Sequence, residues 1–279
     1  MTSGSVFSAA WLSILALFVT AAGAHAEGRV VEIAHGHSWV SPYWGYSSPK
    51  IVSDGTAWYT AGLWGADPAS SYGVLYKCDG AAWHEGAHLS NIYQPVTLAL
   101  DAQGRLLAAY TEQLQPVRIY RSQARGNIHD LERLPSPPDM KNAYYIGIAI
   151  REDVLYLAYL VTPEYSMFLA TLNLASLEWT PSRLVCPGQI ERKPKTAWTY
   201  PILYPAEDGL HLVASNAPDG GEGNTYNQVW YLFYPHGAHE PSIRELVAET
   251  PMGHLSYALD FAIDADGKNS MAIAKSAQQ

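Results

Sequence analysis

Five residues in this chain are candidates for moving protons: His88, Tyr144, Tyr145, Tyr200 and His254. In β-elimination from a uronic acid, a tyrosine or histidine removes the C5 proton, another protonates the leaving oxygen, and a cation or histidine neutralises the carboxylate. A second set suits holding a polyhydroxylated ligand: Trp39, Trp64, Tyr93, Gln94, Glu112, Asn142, Trp198 and Tyr257. Tyr and Trp faces stack on C–H surfaces, while hydroxyl, amide and carboxylate groups bond hydroxyls. Hydrolysis is the competing chemistry, with two carboxylates at a fixed separation or a tyrosine nucleophile and an acid. Asp67, Glu112, Glu164 and Asp219 are the carboxylates for it, and no spacing fixes their distances. Each tyrosine and histidine also has a structural reading, a ring packed against neighbouring strands with its polar atom bonded to backbone.

These residues are placed by a repeat. Residues 199–216, TYPILYPAEDGLHLVASN, read as a hairpin with a tight turn at Asp208-Gly209, where glycine supplies the positive φ such turns often need. The same grammar recurs in SPKIVSDGTAWYTAGLW around Asp54-Gly55, YQPVTLALDAQGRLLAAYT around Gln103-Gly104, YYIGIAIREDVLYLAYLV around Glu152-Asp153 and SYALDFAIDADGKNSMAI around Asp266-Gly267. The markers Gly55, Gly104, Asp153, Gly209 and Gly267 are 49, 49, 56 and 58 residues apart, a period typical of propellers built from short strands. A weaker strand pair follows each of the first four hairpins, its last strand expected to open on Trp83, Ile128, Trp179 or Ile243. The fold class is therefore all-β, a β-propeller of about five four-stranded blades. The fifth hairpin has no outer pair of its own. Either Arg29–Ala34 (RVVEIA) supplies a closing strand, or the blades belong to a longer propeller.

In such a fold the loop leading into each inner strand shares one face with the loop between the second and third strands. The leading loops are His37–Ser48, His88–Gln94, Asn142–Tyr145, Trp198–Tyr200 and His254–Tyr257. Each carries a tyrosine. The second set brings Trp64, Asp67, Glu112, Gln113, Glu164 and the run Asn216–Thr225 to the same face.

Residues 1–26 stand apart. Val6–Ala22 is almost wholly apolar and Ala24-His25-Ala26 gives a small-x-small cleavage pattern, so a signal peptide and a secreted or periplasmic location are expected, with residues 27–279 as one propeller domain. No Lys or Arg precedes the apolar run, which leaves an uncleaved membrane anchor as the alternative. The net charge of −9 disfavours nucleic acid, whose phosphates demand a basic surface. Cys78 and Cys186 fall in the first and third repeats, too far apart to bond, so two free thiols are expected.

The pattern YQPVTLALDAQGRLLAAYT followed by PVRIYRS, and later TYPILY with DGLHLV, resembles the secreted BNR-repeat propellers, particularly the branch whose repeats read roughly Pro-x-Leu-x-x-Asp-x-x-Gly-Arg-Leu and then Tyr-Arg-Ser. The resemblance covers Asn91–Ser136 and elsewhere is a repeat rhythm. It implies a propeller fold and one of several functions, among them polysaccharide lyases and sialidase-like hydrolases. A common form of that family has Asp-Asp-His-Asn before its second unit. Here residues 87–95, AHLSNIYQP, have a histidine without the acidic pair, which puts the implied role of His88 in doubt. The sialidase Asp-box turn has only a shadow at residues 79–83, DGAAW, and Arg118, Arg121 and Arg125 fall on an outer strand and its turn, where they are expected to be solvated rather than gathered around a carboxylate.

No metal or cofactor is expected. His35-x-His37 and His236-x-x-His239 have no third ligand in sequence, and Asp264-x-Asp266-Gly267 lacks the later ligands of a calcium loop. No phosphate-binding glycine loop or G-x-S-x-G elbow occurs. Two functions remain open: a monomeric propeller that binds, and in one form cleaves, an extracellular carbohydrate; or a non-catalytic scaffold for a protein partner.

Overall fold

The computed structural model describes residues 33–34, 38, 49–80, 82–189, 196–218, 226–251, 254–263 and 269–277. The expected signal segment, residues 29–32 of the expected closing strand, Trp39, Asp219 and the Asp266-Gly267 turn lie outside them. The chain divides into Met1–Gly36 and His37–Gln279, and every strand described belongs to the second unit.

That unit holds four antiparallel four-stranded sheets in chain order, and the described residues contain no helix. Blade one is β1 (Ile51–Ser53), β2 (Trp58–Trp64), β3 (Tyr72–Cys78) and β4 (Trp83–Ser90); blade two is β5 (Thr97–Leu100), β6 (Leu106–Tyr110), β7 (Arg118–Ser122) and β8 (Leu131–Leu134). Blade three is β9 (Ile146–Arg151), β10 (Val154–Val161), β11 (Ser166–Asn173) and β12 (Arg183–Cys186); blade four is β13 (Ala197–Pro205), β14 (Gly209–Ala217), β15 (Gln228–Pro235) and β16 (Ile243–Glu249). A two-stranded sheet, β17 (His254–Ile263) and β18 (Asn269–Ala277), follows. The five expected hairpins are all present as strand pairs. The molecule is a β-propeller with four complete blades described and the inner hairpin of a fifth.

The second strand of a blade is buried on both faces because it is covered by the blades on either side, which is why β6 reads LLAAY and β10 VLYLAYLV rather than alternating with polar residues. Leu106, Ala108 and Tyr110 pack toward blade one, whereas Leu107 and Ala109 pack toward blade three. Each fully buried side chain of this size contributes roughly 1.5–3 kcal/mol. Two more apolar clusters fill the seam between blades three and four and the one between blade four and β17. Cys78 and Cys186 are free thiols, as their separate blades require.

Trp83 and Ile243 open the outer strands β4 and β16 as expected, but Ile128 and Trp179 do not open theirs. Ile128 lies in the loop before β8, buried against blade one, where Gly86 leaves room for it and its carbonyl accepts the Ala87 N–H at 2.7 Å. Trp179 forms an isolated bridge with Leu172 and donates its indole N–H to the Pro135 carbonyl at 3.0 Å. Each bulky residue is engaged with a neighbouring blade before strand pairing starts.

The hairpin turns share one end of the blades, here the lower face. Asp54 Oδ1 accepts the Thr56 and Ala57 N–H groups at 2.9 and 2.8 Å, and Asp101 Oδ1 accepts those of Gln103 and Arg105 at 3.0 and 2.8 Å. Gly104 has φ +71°, the left-handed conformation anticipated for glycine, but Glu152 holds φ +55° in the third turn without being glycine. Arginines then clip blade to blade. Arg125 reaches the Asp54 carboxylate at 3.2 Å, Arg121 donates to the Leu174 carbonyl at 3.0 Å, and Arg151 donates to the Ala206 carbonyl. The expectation that Arg118, Arg121 and Arg125 are solvated is therefore corrected for Arg118 and Arg121, whereas Arg125 remains largely exposed around its Asp54 contact. Arg121 is also paired with Glu132 at 2.6 Å, and Arg118 with Glu112 at 2.7 Å, because guanidinium groups at blade edges meet unfilled carbonyls and carboxylates of the neighbouring strand.

Candidate glycan-binding face

The upper face is built by one hydrogen bond used four times. A backbone N–H leading into, or just inside, an inner strand donates to the loop between the second and third strands of the preceding blade: Ile92 to the Ser71 carbonyl at 3.3 Å, Ala143 to Gln115 at 2.9 Å, Trp198 to Tyr165 at 3.1 Å and Ser256 to Tyr226 at 2.7 Å. Four of the six described non-glycine residues with positive φ lie here: Asn91, Leu114, Tyr165 and Tyr200. Such conformations cost on the order of 1–3 kcal/mol each and persist where the surroundings over-determine them.

These loops gather seven tyrosines into one connected run. Ring centroids are 5.6 Å apart for Tyr93 and Tyr144, 4.4 Å for Tyr144 and Tyr145, 6.4 Å for Tyr144 and Tyr165, and 4.9 Å for Tyr145 and Tyr200. From Tyr200 the run branches to Tyr226 at 5.4 Å and Tyr257 at 5.9 Å. Most contacts are tilted or edge-on, the arrangement aromatic quadrupoles favour. Tyr200 is the hub, aimed by a β-bulge in β13 between Thr199 and Ile202 and held at φ +52°. Blade three approaches that bulge through Gly147, where a Cβ would stand 2.3 Å from the Pro201 carbonyl oxygen.

The run has two layers. Tyr145, Tyr200 and Tyr226 are buried in the seam between blades three and four, whereas Tyr93, Tyr144, Tyr165 and Tyr257 are half-buried and present polar atoms. The Tyr93 and Tyr144 hydroxyls are 3.4 Å apart. Burial, and then the Tyr93 hydroxyl, raise the Tyr144 pKa far above the ordinary phenol value; burial also raises that of Tyr257. Both are therefore phenols near neutrality, able to give and accept hydrogen bonds but weaker proton donors than an exposed tyrosine.

The other expected residues separate into those at this face and those elsewhere. Glu112 lies beside Thr111, whose carbonyl accepts the Tyr93 N–H at 2.8 Å, and is ion-paired with Arg118. Gln94 is buried with its amide oxygen lacking a hydrogen-bond partner among the described residues. Asn142 bonds both ways with the Thr162 backbone at 3.3 and 3.2 Å, pinning the β10–β11 loop. His254 opens β17 three residues before Tyr257. Trp198 is buried, its indole donating to the Pro187 carbonyl at 3.1 Å, and Trp64 ends β2 half-buried. Asp67 is spent on its own turn, accepting the Ala69 and Ser70 N–H groups at 2.8 and 3.0 Å, while Glu164 is exposed beside Tyr165.

His88 is not in the loop leading to blade two. It lies within the outer strand β4, exposed, 2.7 Å from Glu85 and stacked on Tyr72 at 5.7 Å, because strand pairing to β3 continues through Ser90. Sequence reasoning passed over Lys50, which immediately precedes β1 at the upper end and whose amine burial holds well below its ordinary pKa. It also missed Tyr165 and Tyr226, which lie in loops of the second set and whose carbonyls accept N–H groups of the next blade, a contact no sequence signal reports.

Solved structures with the same fold act on glycans. A polysaccharide lyase of family PL25, an ulvan lyase, superposes with a TM-score of 0.60 at 12% identity over 84% of this chain and 64% of its own. An exo-β-1,3-galactanase from Clostridium thermocellum gives 0.57 at 14% identity over 88% and 54%. A family 43 β-1,3-galactosidase with bound galactodeoxynojirimycin gives 0.51 at 11% identity over 88% and 94%. These likenesses establish the propeller fold. The chain spans less than two thirds of the length of the lyase and of the galactanase. No protein-family model matches the sequence, and no curated protein matches it.

Proposed function

We propose that this is a secreted or periplasmic BNR-type propeller whose upper face binds an extracellular polysaccharide and cleaves it at a uronate by β-elimination. The observation that carries the reading is the half-buried Tyr93–Tyr144 pair, hydroxyls 3.4 Å apart, in a tyrosine run built by successive blades. The propeller neighbours support it: one is an ulvan lyase bound to a glucuronate–sulfated rhamnose repeat, with a TM-score of 0.59, and another is an exo-β-1,3-galactanase. Lyase chemistry fits better than hydrolysis, since of the three expected carboxylates among the described residues Glu112 is tied to Arg118 and Asp67 to its own turn, which leaves Glu164 without a second free carboxylate from that set.

In this reading the Tyr144 hydroxyl donates its proton to the departing glycosidic oxygen, while the imidazole of His254 takes the C5 proton. The C5–H electron pair becomes the C4–C5 double bond as the C4–O bond breaks. Tyr93 positions Tyr144 and takes part in binding hydroxyls. Tyr145 and Tyr200, being buried, position the run rather than touch substrate.

The test is a screen of uronate polysaccharides for the ultraviolet absorbance of an unsaturated product, with Tyr144→Phe alongside. The variant is expected to lose at least about a hundredfold in rate, the usual contribution of a positioned acid, with unaltered folding. A wild-type protein silent on every uronate polysaccharide sinks the lyase reading. The burial of Tyr145, Tyr200 and Tyr226 favours a second reading, a scaffold in which the tyrosines are core and a protein partner docks. Under it, a glycan array finds no binder and Tyr144→Phe changes nothing but stability.

A further inference from the structure

The outer seam of blades three and four holds a pocket of ≈210 Å³ that the upper face does not use. Leu184 and Pro187 of blade three wall one side and Leu232 and Pro241 of blade four the other, with Glu240 and Arg244 at its polar edge. Arg244 lies opposite Leu232 in the β15–β16 register, on the blade face turned to the seam. Its guanidinium carbon stands 5.6 Å from the Trp198 ring centroid and 5.2 Å from that of Trp230. Two indoles thus hold the guanidinium. Among the described residues it has no carboxylate partner and no hydrogen-bond acceptor. Arg183, by contrast, is occupied: it donates to the Ala238 carbonyl at 2.6 Å and lies over Tyr234.

We infer that this pocket is a second glycan subsite for a sugar residue bearing an oxyanion, either a uronate carboxylate or a sulfate ester. Apolar walls accept the C–H face of a pyranose, and Arg244 supplies a flat, pre-oriented pair of N–H donors for the oxyanion, opposed only by the Glu240 carboxylate on the exposed rim. On a chain with net charge −9, general attraction cannot hold an anion, so binding depends on this one guanidinium. The oxidation of the buried Cys186 thiol nearby is not involved, since burial holds it protonated with a pKa pushed up to about 12. The subsite rests on the reading that the chain handles acidic glycans and adds a hold on a chain segment away from the tyrosines.

The test is NMR of the Trp198 and Trp230 indole N–H signals, assigned with Trp→Phe variants, during titration with methyl β-glucuronide, galactose 6-sulfate and neutral methyl β-glucoside. The anionic probes are expected to shift both signals saturably and the glucoside to leave them in place; the stronger anionic probe identifies the oxyanion. Arg244→Met weakens the response at least about tenfold, and Glu240→Lys, on the exposed rim, strengthens it severalfold. The inference is overturned if no anionic probe shifts the signals, if the glucoside binds equally, or if either variant responds like the wild type. Tyr144→Phe leaves these shifts intact. Loss of the seam response with intact cleavage therefore breaks this inference alone, and absence of cleavage with an intact seam response breaks only the lyase reading.

Discussion

The two ends of the blades use opposite means to the same task. On the lower face, side chains do the joining: Asp54 and Asp101 cap the hairpin turns, and Arg121, Arg125 and Arg151 bridge to a neighbouring blade. On the upper face, backbone does it, through four N–H to carbonyl bonds between successive blades. Joining blades with backbone frees several upper-face positions, and Tyr93, Tyr144, Tyr165 and Tyr257 stand there half-buried. Strain follows the same division, since Asn91, Leu114, Tyr165 and Tyr200 hold positive φ on the upper face. The lower face secures the fold, and the upper face is free to carry chemistry.

If that division is right, perturbing the tyrosine hub damages both stability and activity, whereas perturbing the lower face damages stability alone. Tyr200→Ala removes a buried ring that meets three others and is expected to cost about 4 kcal/mol in urea unfolding, with loss of glycan binding. Gly147→Ala drives a methyl into the Pro201 carbonyl and is expected to cost about 2 kcal/mol and to shift the Tyr200 bulge, seen as altered tyrosine signals in near-ultraviolet circular dichroism. Equal activity in this variant would show that the bulge does not aim the run.

Asp54→Asn is expected to cost about 1.5 kcal/mol with glycan activity unchanged. Its pH dependence sharpens the comparison. Burial alone would raise the Asp54 pKa, but hydrogen bonds from Thr56, Ala57 and Arg125 outweigh it and hold the carboxyl well below the usual range. The folded pKa therefore lies below the unfolded value of about 3.9. The resulting stability is complete at higher pH and is lost as pH falls through that value toward the folded pKa. Wild-type stability should thus fall more steeply on acidification than that of Asp54→Asn. Smallest of all, Arg125→Met breaks an exposed ion pair and is expected to cost about 0.5 kcal/mol, reduced further by salt.

Much of the fold was legible because a blade is a local object. Two hairpin strands and a turn lie within some twenty consecutive residues, so the apolar runs and the Asp-Gly punctuation showed the hairpins, and the period showed the propeller. Where a residue's role depended on another blade, the reading slipped. Ile128 and Trp179 looked like strand openers but bond to neighbouring blades, and Arg121 looked solvated while its partner Leu174 lies 53 residues away. His88 looked like a loop residue because its strand, WHEGAHLS, is exposed and lacks the apolar signal of an inner strand.

The sequence by itself determined the inner hairpins, their turns, the separation of the two thiols and the placement of a tyrosine in the loops leading to blades two and three and within β13 and β17. Those follow from side-chain periodicity and turn chemistry, which act over a few residues. Only the tertiary structure decided which tyrosines are core and which are open. Tyr144 and Tyr145 are adjacent in the chain, yet one is half-buried with a hydroxyl partner from the blade-two loop and the other is sealed in a seam. Burial is set by what the next blade places over a residue, and that packing is non-local.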